Sequence, residues 1–210
     1  MLPFFFNISA LICKSMKITN IFVVLLIISS CGGGGSSNVT ENDSSIPGND
    51  LNPVNETCVD TSRNGVDKCD LTHDNRNRFY YLYVPDNLDT NQSIPILFAF
   101  HGYGSSALRH LGYTNYIPIA DRNNFIVVYP QGESTSTLSA HWNVGGWTSK
   151  SPVKDLEFVE TVIDLLKDKL PIDETRVYSS GMSNGGYMGY HLACNLSNKF
   201  AAVASVTGSM

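Results

Sequence analysis

A chain of 210 residues that is 42% hydrophobic and 16% charged is long enough for one domain with a real core. Its formal net charge of −5 carries no basic footprint for nucleic acid. With this apolar content the mild acidity also excludes a chain that is disordered throughout.

The N-terminal stretch "MKITNIFVVLLIISSCGGGGSS" (16–37) sets Lys17 before the apolar run Ile21 to Ile28, then Ser29, Ser30 and Cys31. A short basic region, an apolar core and small residues before a cleavage point read as an export signal over residues 1–30. The Cys directly after Ile-Ser-Ser resembles a bacterial lipobox, which implies cleavage before Cys31 and lipid attachment to it. The alternative is a membrane-spanning helix, but the run falls short of the ~20 apolar residues a span needs. Met16 is a cleaner start than Met1, because charge, apolar core and Cys then follow in order. Removing residues 1–30 takes away Lys14 and Lys17 and leaves a net charge of −7.

Residues 31–56 are dominated by Gly, Ser, Asn, Asp and Pro, too poor in apolar anchors to offset chain entropy, and read as a flexible tether. Cys58 and Cys69 follow. In an exported protein they could close a small disulfide loop; the alternative is two unpaired thiols. Their spacing alone is no zinc site, and no metal or cofactor is expected.

Residues 57–210 read as one catalytic domain. "RFYYLYVP" (78–85) is aromatic and β-branched, and reads as a strand ending at Pro85. "SIPILFAFHG" (93–102) and "FIVVYP" (125–130) have the texture of strands buried on both faces of a sheet. "DLEFVETVIDLLKDKL" (155–170) places Leu156, Val159, Ile163, Leu166 and Leu170 on one face of an amphipathic helix, with Asp155 as its cap and Pro171 as its stop. "RVYSS" (176–180) predicts a strand, "GGYMGYHLACNL" (185–196) a helix and "FAAVASV" (200–206) a strand. Strands alternating with helices imply an α/β fold with a mostly parallel, doubly wound sheet.

Between the strand ending at Ser180 and the helix beginning near Gly185 stands "GMSNG", a G-x-S-x-G. Alone the motif is weak; between strand and helix it is the context of a nucleophile elbow. The turn would hold Ser183 in a strained conformation, and Gly181 and Gly185 would let strand and helix pass closely. Oxyanion donors are expected from the Asn184 N–H and from the "HGYGSS" loop (101–106), with the Tyr103 N–H as the second candidate. His101 reads as a structural turn residue.

"FAFHGYGSS", "DRNNFIVVYPQG", "WNVGGW", the 155–194 segment and "FAAVASVTGSM" follow in order. Together they resemble the poly(3-hydroxybutyrate) depolymerases and related feruloyl and acetyl xylan esterases of the α/β-hydrolase fold, from about residue 78 onward. The resemblance implies Ser183 as nucleophile, Asn184 and Tyr103 at the oxyanion hole, and Trp142 and Asn143 on a substrate-binding loop beside the cleft. It also implies an ester substrate, either polyester or acylated plant polysaccharide. One departure is visible: relatives often carry cysteines after Trp-Asn-x-Gly-Gly, where Trp147 stands here.

In this fold the acid and the histidine follow the serine along the chain. Residues 184–210 contain no Asp or Glu, and their one histidine is His191. Eight residues along a helix is ~12 Å of rise, which carries His191 away from Ser183. His73, His101, His110 and His141 all precede the elbow. The expectation is therefore a C-terminally incomplete hydrolase, inactive as it stands, with an Asp and a His encoded past codon 210. The competing expectation is a non-catalytic surface lipoprotein that uses the half-fold to bind polyester or glycan. A serine peptidase on the same fold is a weaker third reading.

Overall fold

The computed structural model describes residues 54–63 and 65–208. The export signal, Cys31 and most of the tether lie outside the described residues. Seven strands form one sheet in the order β1-β2-β3-β5-β4-β6-β7. They are β1 (Glu56–Arg63), β2 (Val66–His73), β3 (Arg76–Tyr83), β4 (Ile94–Phe100), β5 (Ile126–Pro130), β6 (Ile172–Met182) and β7 (Ala202–Val206). The helices are α1 (Ala107–Thr114), α2 (Ile117–Asn123), α3 (Asp155–Lys167) and α4 (Asn184–Asn195).

The sheet has two characters. β1, β2 and β3 form an antiparallel meander, and β3 runs antiparallel to β5. β5, β4, β6 and β7 are mutually parallel. The β2–β3 connection is a two-residue turn, Asp74-Asn75, with both residues at positive φ (50° and 57°). That geometry matches the twist of a hairpin, and Asp and Asn tolerate it best after Gly. Cys58 and Cys69 face each other across β1 and β2 and are joined as a disulfide.

Helices cover both faces of the parallel half. Ile94, Ile96, Phe98 and Phe100 of β4 point to the face where Phe158, Val159, Val162, Ile163 and Leu166 of α3 pack beside Met188 and Leu192 of α4. Ala99 of β4, with Val127 and Tyr129 of β5, points to the opposite face against Ala107 of α1 and Ala120 of α2. Every residue of β5 is buried. Strands covered on both faces read as continuous apolar runs rather than alternation, the texture that marks 94–100 and 125–130.

The sequence reading had no β1, β2, α1 or α2, and it placed Asp155 as the cap of α3. The N-cap is Lys154, without a side-chain cap. Asp155 turns inward instead. It is 2% exposed, accepts from Arg78 Nη2 at 2.7 Å and takes the Asn143 N–H at 2.7 Å. Arg78 is as deeply buried and lies over the Phe158 ring. A charge buried this far persists only when paired, so the pair ties β3 of the meander to α3.

Candidate active site

β4 and β6 are adjacent and parallel, with Phe100 opposite Gly181 at their carboxyl ends. The chain leaves both strands side by side, at the edge of an open α/β sheet where ligand sites form. After β6 it turns sharply into α4 through Ser183, which holds φ 53° and ψ −117°. A non-glycine residue in that region stores about 1–3 kcal/mol of strain. Surroundings that over-determine it are visible in the neighbours. Ser183 N–H donates to Val206 O at 2.8 Å. A methyl group on Gly181 would sit 2.1 Å from Gly185 O, and one on Gly185 would sit 2.1 Å from Phe100 O. Neither contact is possible, so both positions need glycine for close backbone approach.

Two loops close on the elbow. The first follows β4. A Cβ on Gly102 would lie 3.6 Å from Ser183 Cβ and 3.3 Å from Met182 O, so the loop backbone lies against the serine. Among the described residues no acceptor takes the Tyr103 N–H or the Asn184 N–H, whereas Gly104 N–H and Ser105 N–H are both bonded. Asn184 also opens α4, where the N-terminal amides and the helix dipole favour an anion. The Asn184 side chain is buried and clamps the second loop. Its Oδ1 accepts from the Trp142 N–H at 2.8 Å, and its Nδ2 donates to Trp142 O at 3.2 Å.

Trp142 and Asn143, expected on a substrate-binding loop, are both engaged with protein partners. Trp142 is fully buried, donates Nε1–H to His101 O at 2.8 Å and packs edge-on against Phe100. Asn143 donates its Nδ2 to Ser151 O and Val153 O. Both side chains hold the loop in place. The aromatic group that does face outward is Trp147, 55% exposed, beside Tyr103 at 44%. Their rings meet edge to face, centroids 5.2 Å apart.

The histidines are engaged elsewhere. His101 is buried; its Nδ1 bonds Gly102 O, and its Nε2 accepts from the Gly132 N–H. Burial holds its pKa below the ordinary imidazole value. His110 is pushed down to about 4 by burial, with the nearby His101 as a smaller cause. His141 is buried with Nδ1 on Ser139 O. His191 meets Asn195 one turn along α4. Asp155 is held by Arg78 and Asn143. Among the described residues no imidazole or carboxylate is hydrogen-bonded to Ser183 Oγ.

Glu56 also approaches Cys58 and Cys69. Those sulfurs are bonded to each other, and the Glu56 carboxylate takes Tyr80 OH and Lys169 Nζ. The cluster is a staple at the sheet edge rather than a metal site.

The sheet order, the strained serine between strand and helix, and the loop after β4 define an α/β-hydrolase fold. Known proteins agree with this architecture. The chain is 35% identical over 131 residues to a bifunctional acetylxylan esterase/xylanase of Neocallimastix patriciarum, covering 62% of this chain and 18% of that protein. It is 35% identical over 130 residues to feruloyl esterase B of Thermothelomyces thermophilus, covering 61% and 43%. The chain thus spans less than half the length of these curated relatives. Among solved structures, a thermostable esterase superposes with a TM-score of 0.54 at 22% identity, over 66% of this chain and 39% of that one. A family model described as Peptidase_S9, prolyl oligopeptidase family, matches residues 112–210, under half of the chain. The likeness is to hydrolases, and in these sequence matches to esterases. No helix among the described residues is long and apolar enough to cross a membrane.

Proposed function

We propose that Ser183 is the nucleophile of an exported serine carboxylic-ester hydrolase. The observation that carries this reading is the strained Ser183, with the Asn184 and Tyr103 N–H groups left without acceptors beside it. In the reaction Ser183 Oγ attacks the ester carbonyl carbon, and its proton passes to a base. The carbonyl oxygen becomes an oxyanion that accepts from the two N–H groups. The alcohol then leaves with a proton, and water hydrolyses the acyl-Ser183 ester, restoring the hydroxyl. Donors held in place before charge develops need no reorganisation, and each is worth ~10²–10³ in rate.

The acyl group is that of an acetylated or feruloylated plant polysaccharide, in keeping with the relatives' names; a polyester is the less supported substrate. We place the base and its carboxylate partner outside the described residues, among which no imidazole or carboxylate is hydrogen-bonded to Ser183 Oγ. The Cys58–Cys69 bridge supports an oxidising compartment. The lipobox-like Ser-Ser-Cys31 supports a lipid anchor there.

The test is hydrolysis of p-nitrophenyl acetate and methyl ferulate by the complete gene product. Ser183→Ala is expected to lose about 10⁶-fold in kcat; a variant as active as the wild type would overturn the assignment. The 210-residue polypeptide alone is expected to be inert. Ser183-dependent turnover by it would place the base among residues 1–210.

A further inference from the structure

Trp147 is among the most exposed large apolar side chains of the described residues. Its short 3-10 turn (Gly146–Thr148) is not loose. Thr148 is buried, accepts the Val144 N–H on Oγ1 at 2.9 Å and donates that hydroxyl to Gly145 O at 2.8 Å. Asn143 fixes the same loop through Ser151 and Val153. Gly145 and Gly146 sit at positive φ with open space beside them. The frame is rigid and the ring it carries is uncovered.

Tyr103 completes the feature. Its hydroxyl is anchored by the Ser139 N–H at 3.1 Å, which orients the ring while leaving it 44% exposed. The two rings stand at 73° with centroids 5.2 Å apart, forming a corner with one open face and one open edge. Tyr103 follows Gly102, where an added Cβ would lie 3.6 Å from Ser183 Cβ.

We propose that Tyr103 and Trp147 form a stacking subsite that receives a flat aromatic ring of the ester substrate. A planar ring can lie against one wall and meet the other edge to face, the arrangement aromatic pairs prefer. A pyranose would also stack on Trp147, but it needs side-chain partners for its hydroxyls. The Thr148 and Asn143 polar groups of this loop are already committed to backbone partners. The proposal deepens the esterase reading by naming the part of the ester that is gripped and the residues that grip it.

The test is binding of methyl 4-hydroxycinnamate to the purified protein, against methyl 3-cyclohexylpropanoate, a saturated ring of similar size. It is followed on the Trp147 indole N–H resonance, assigned by its loss in Trp147→Phe. The aryl ester is expected to shift that resonance and to bind about tenfold more tightly than the cyclohexyl ester, since aromatic pairing adds about a factor of ten to burial. Trp147→Ala should lose that preference, and Trp147→Phe, which keeps an aromatic wall, should retain most of it. Ser183→Ala should bind the aryl ester like the wild type. Equal affinity for the two esters, an unshifted Trp147 resonance, or undiminished preference in Trp147→Ala would overturn the subsite, even in a protein with Ser183-dependent turnover. The converse result, Trp147-dependent aryl binding in a complete gene product without Ser183-dependent turnover, would overturn the esterase reading and sustain the subsite.

Discussion

The antiparallel meander and the parallel half of the sheet are held together by different means. β1–β3 rely on a cross-strand disulfide, a tight turn and ion pairs reaching the surface, such as Lys154 with Asp74 and Arg76 with Glu133. β4, β6 and α4 rely on backbone passing backbone, with no room for a methyl group at Gly181 or Gly185. Covalent and side-chain links tolerate adjustment. Backbone contact does not, and the half that has it carries the strained Ser183 turn. A site accurate to fractions of an ångström is built on the part of the fold that cannot relax.

That contrast can be broken from either side. The largest effect is expected for Gly185→Ala, whose Cβ would meet Phe100 O at 2.1 Å and His101 O at 2.7 Å. No cooperatively folded protein should be recovered, and a normal near-ultraviolet dichroism spectrum would contradict the account. Next is Asp155→Ala, which leaves Arg78 charged and buried and removes a side-chain link between β3 and α3. A loss of about 3–5 kcal/mol is expected in urea unfolding. Replacing Cys58 and Cys69 together by Ser acts on the meander alone. Opening a loop of this size should cost about 3 kcal/mol by chain entropy, without altering the elbow. The smallest effect has the opposite sign. Ser183→Gly relieves the positive φ and should raise stability by about 1 kcal/mol; a loss would mean that the hydroxyl makes a stabilising contact.

The elbow was legible because its constraints are local. A tight strand-to-helix turn needs glycines two residues on either side of a serine, and the spacing shows it. The apolar runs of β4 and β5 and the heptad-like face of α3 are equally local, and their types and approximate limits follow from residue pattern. β1 and β2 were not legible. Their burial follows no clean alternation, because one lies at the sheet edge and is largely exposed. The Asp74-Asn75 pair was the signal that could have found the β2–β3 hairpin, and β2 with it. The inward turn of Asp155 was hidden for another reason. Its partner Arg78 is 77 residues away, and a charged residue at a helix start looks like a cap until the partner is seen.

The amino-acid sequence by itself determined the α/β alternation and the serine at a strand-to-helix turn, since each rests on neighbours along the chain. Only the tertiary structure decided which aromatic side chain of this loop is buried and which is exposed. Trp142 and Trp147 are five residues apart on one loop, equally apolar and equally prominent in the sequence. Trp142 is drawn into the core by the Asn184 clamp and the His101 carbonyl, while the Gly145–Gly146 bend and the buried Thr148 hold Trp147 outward. Burial is a property of what packs around a residue, and those partners come from strands and helices far away in the chain.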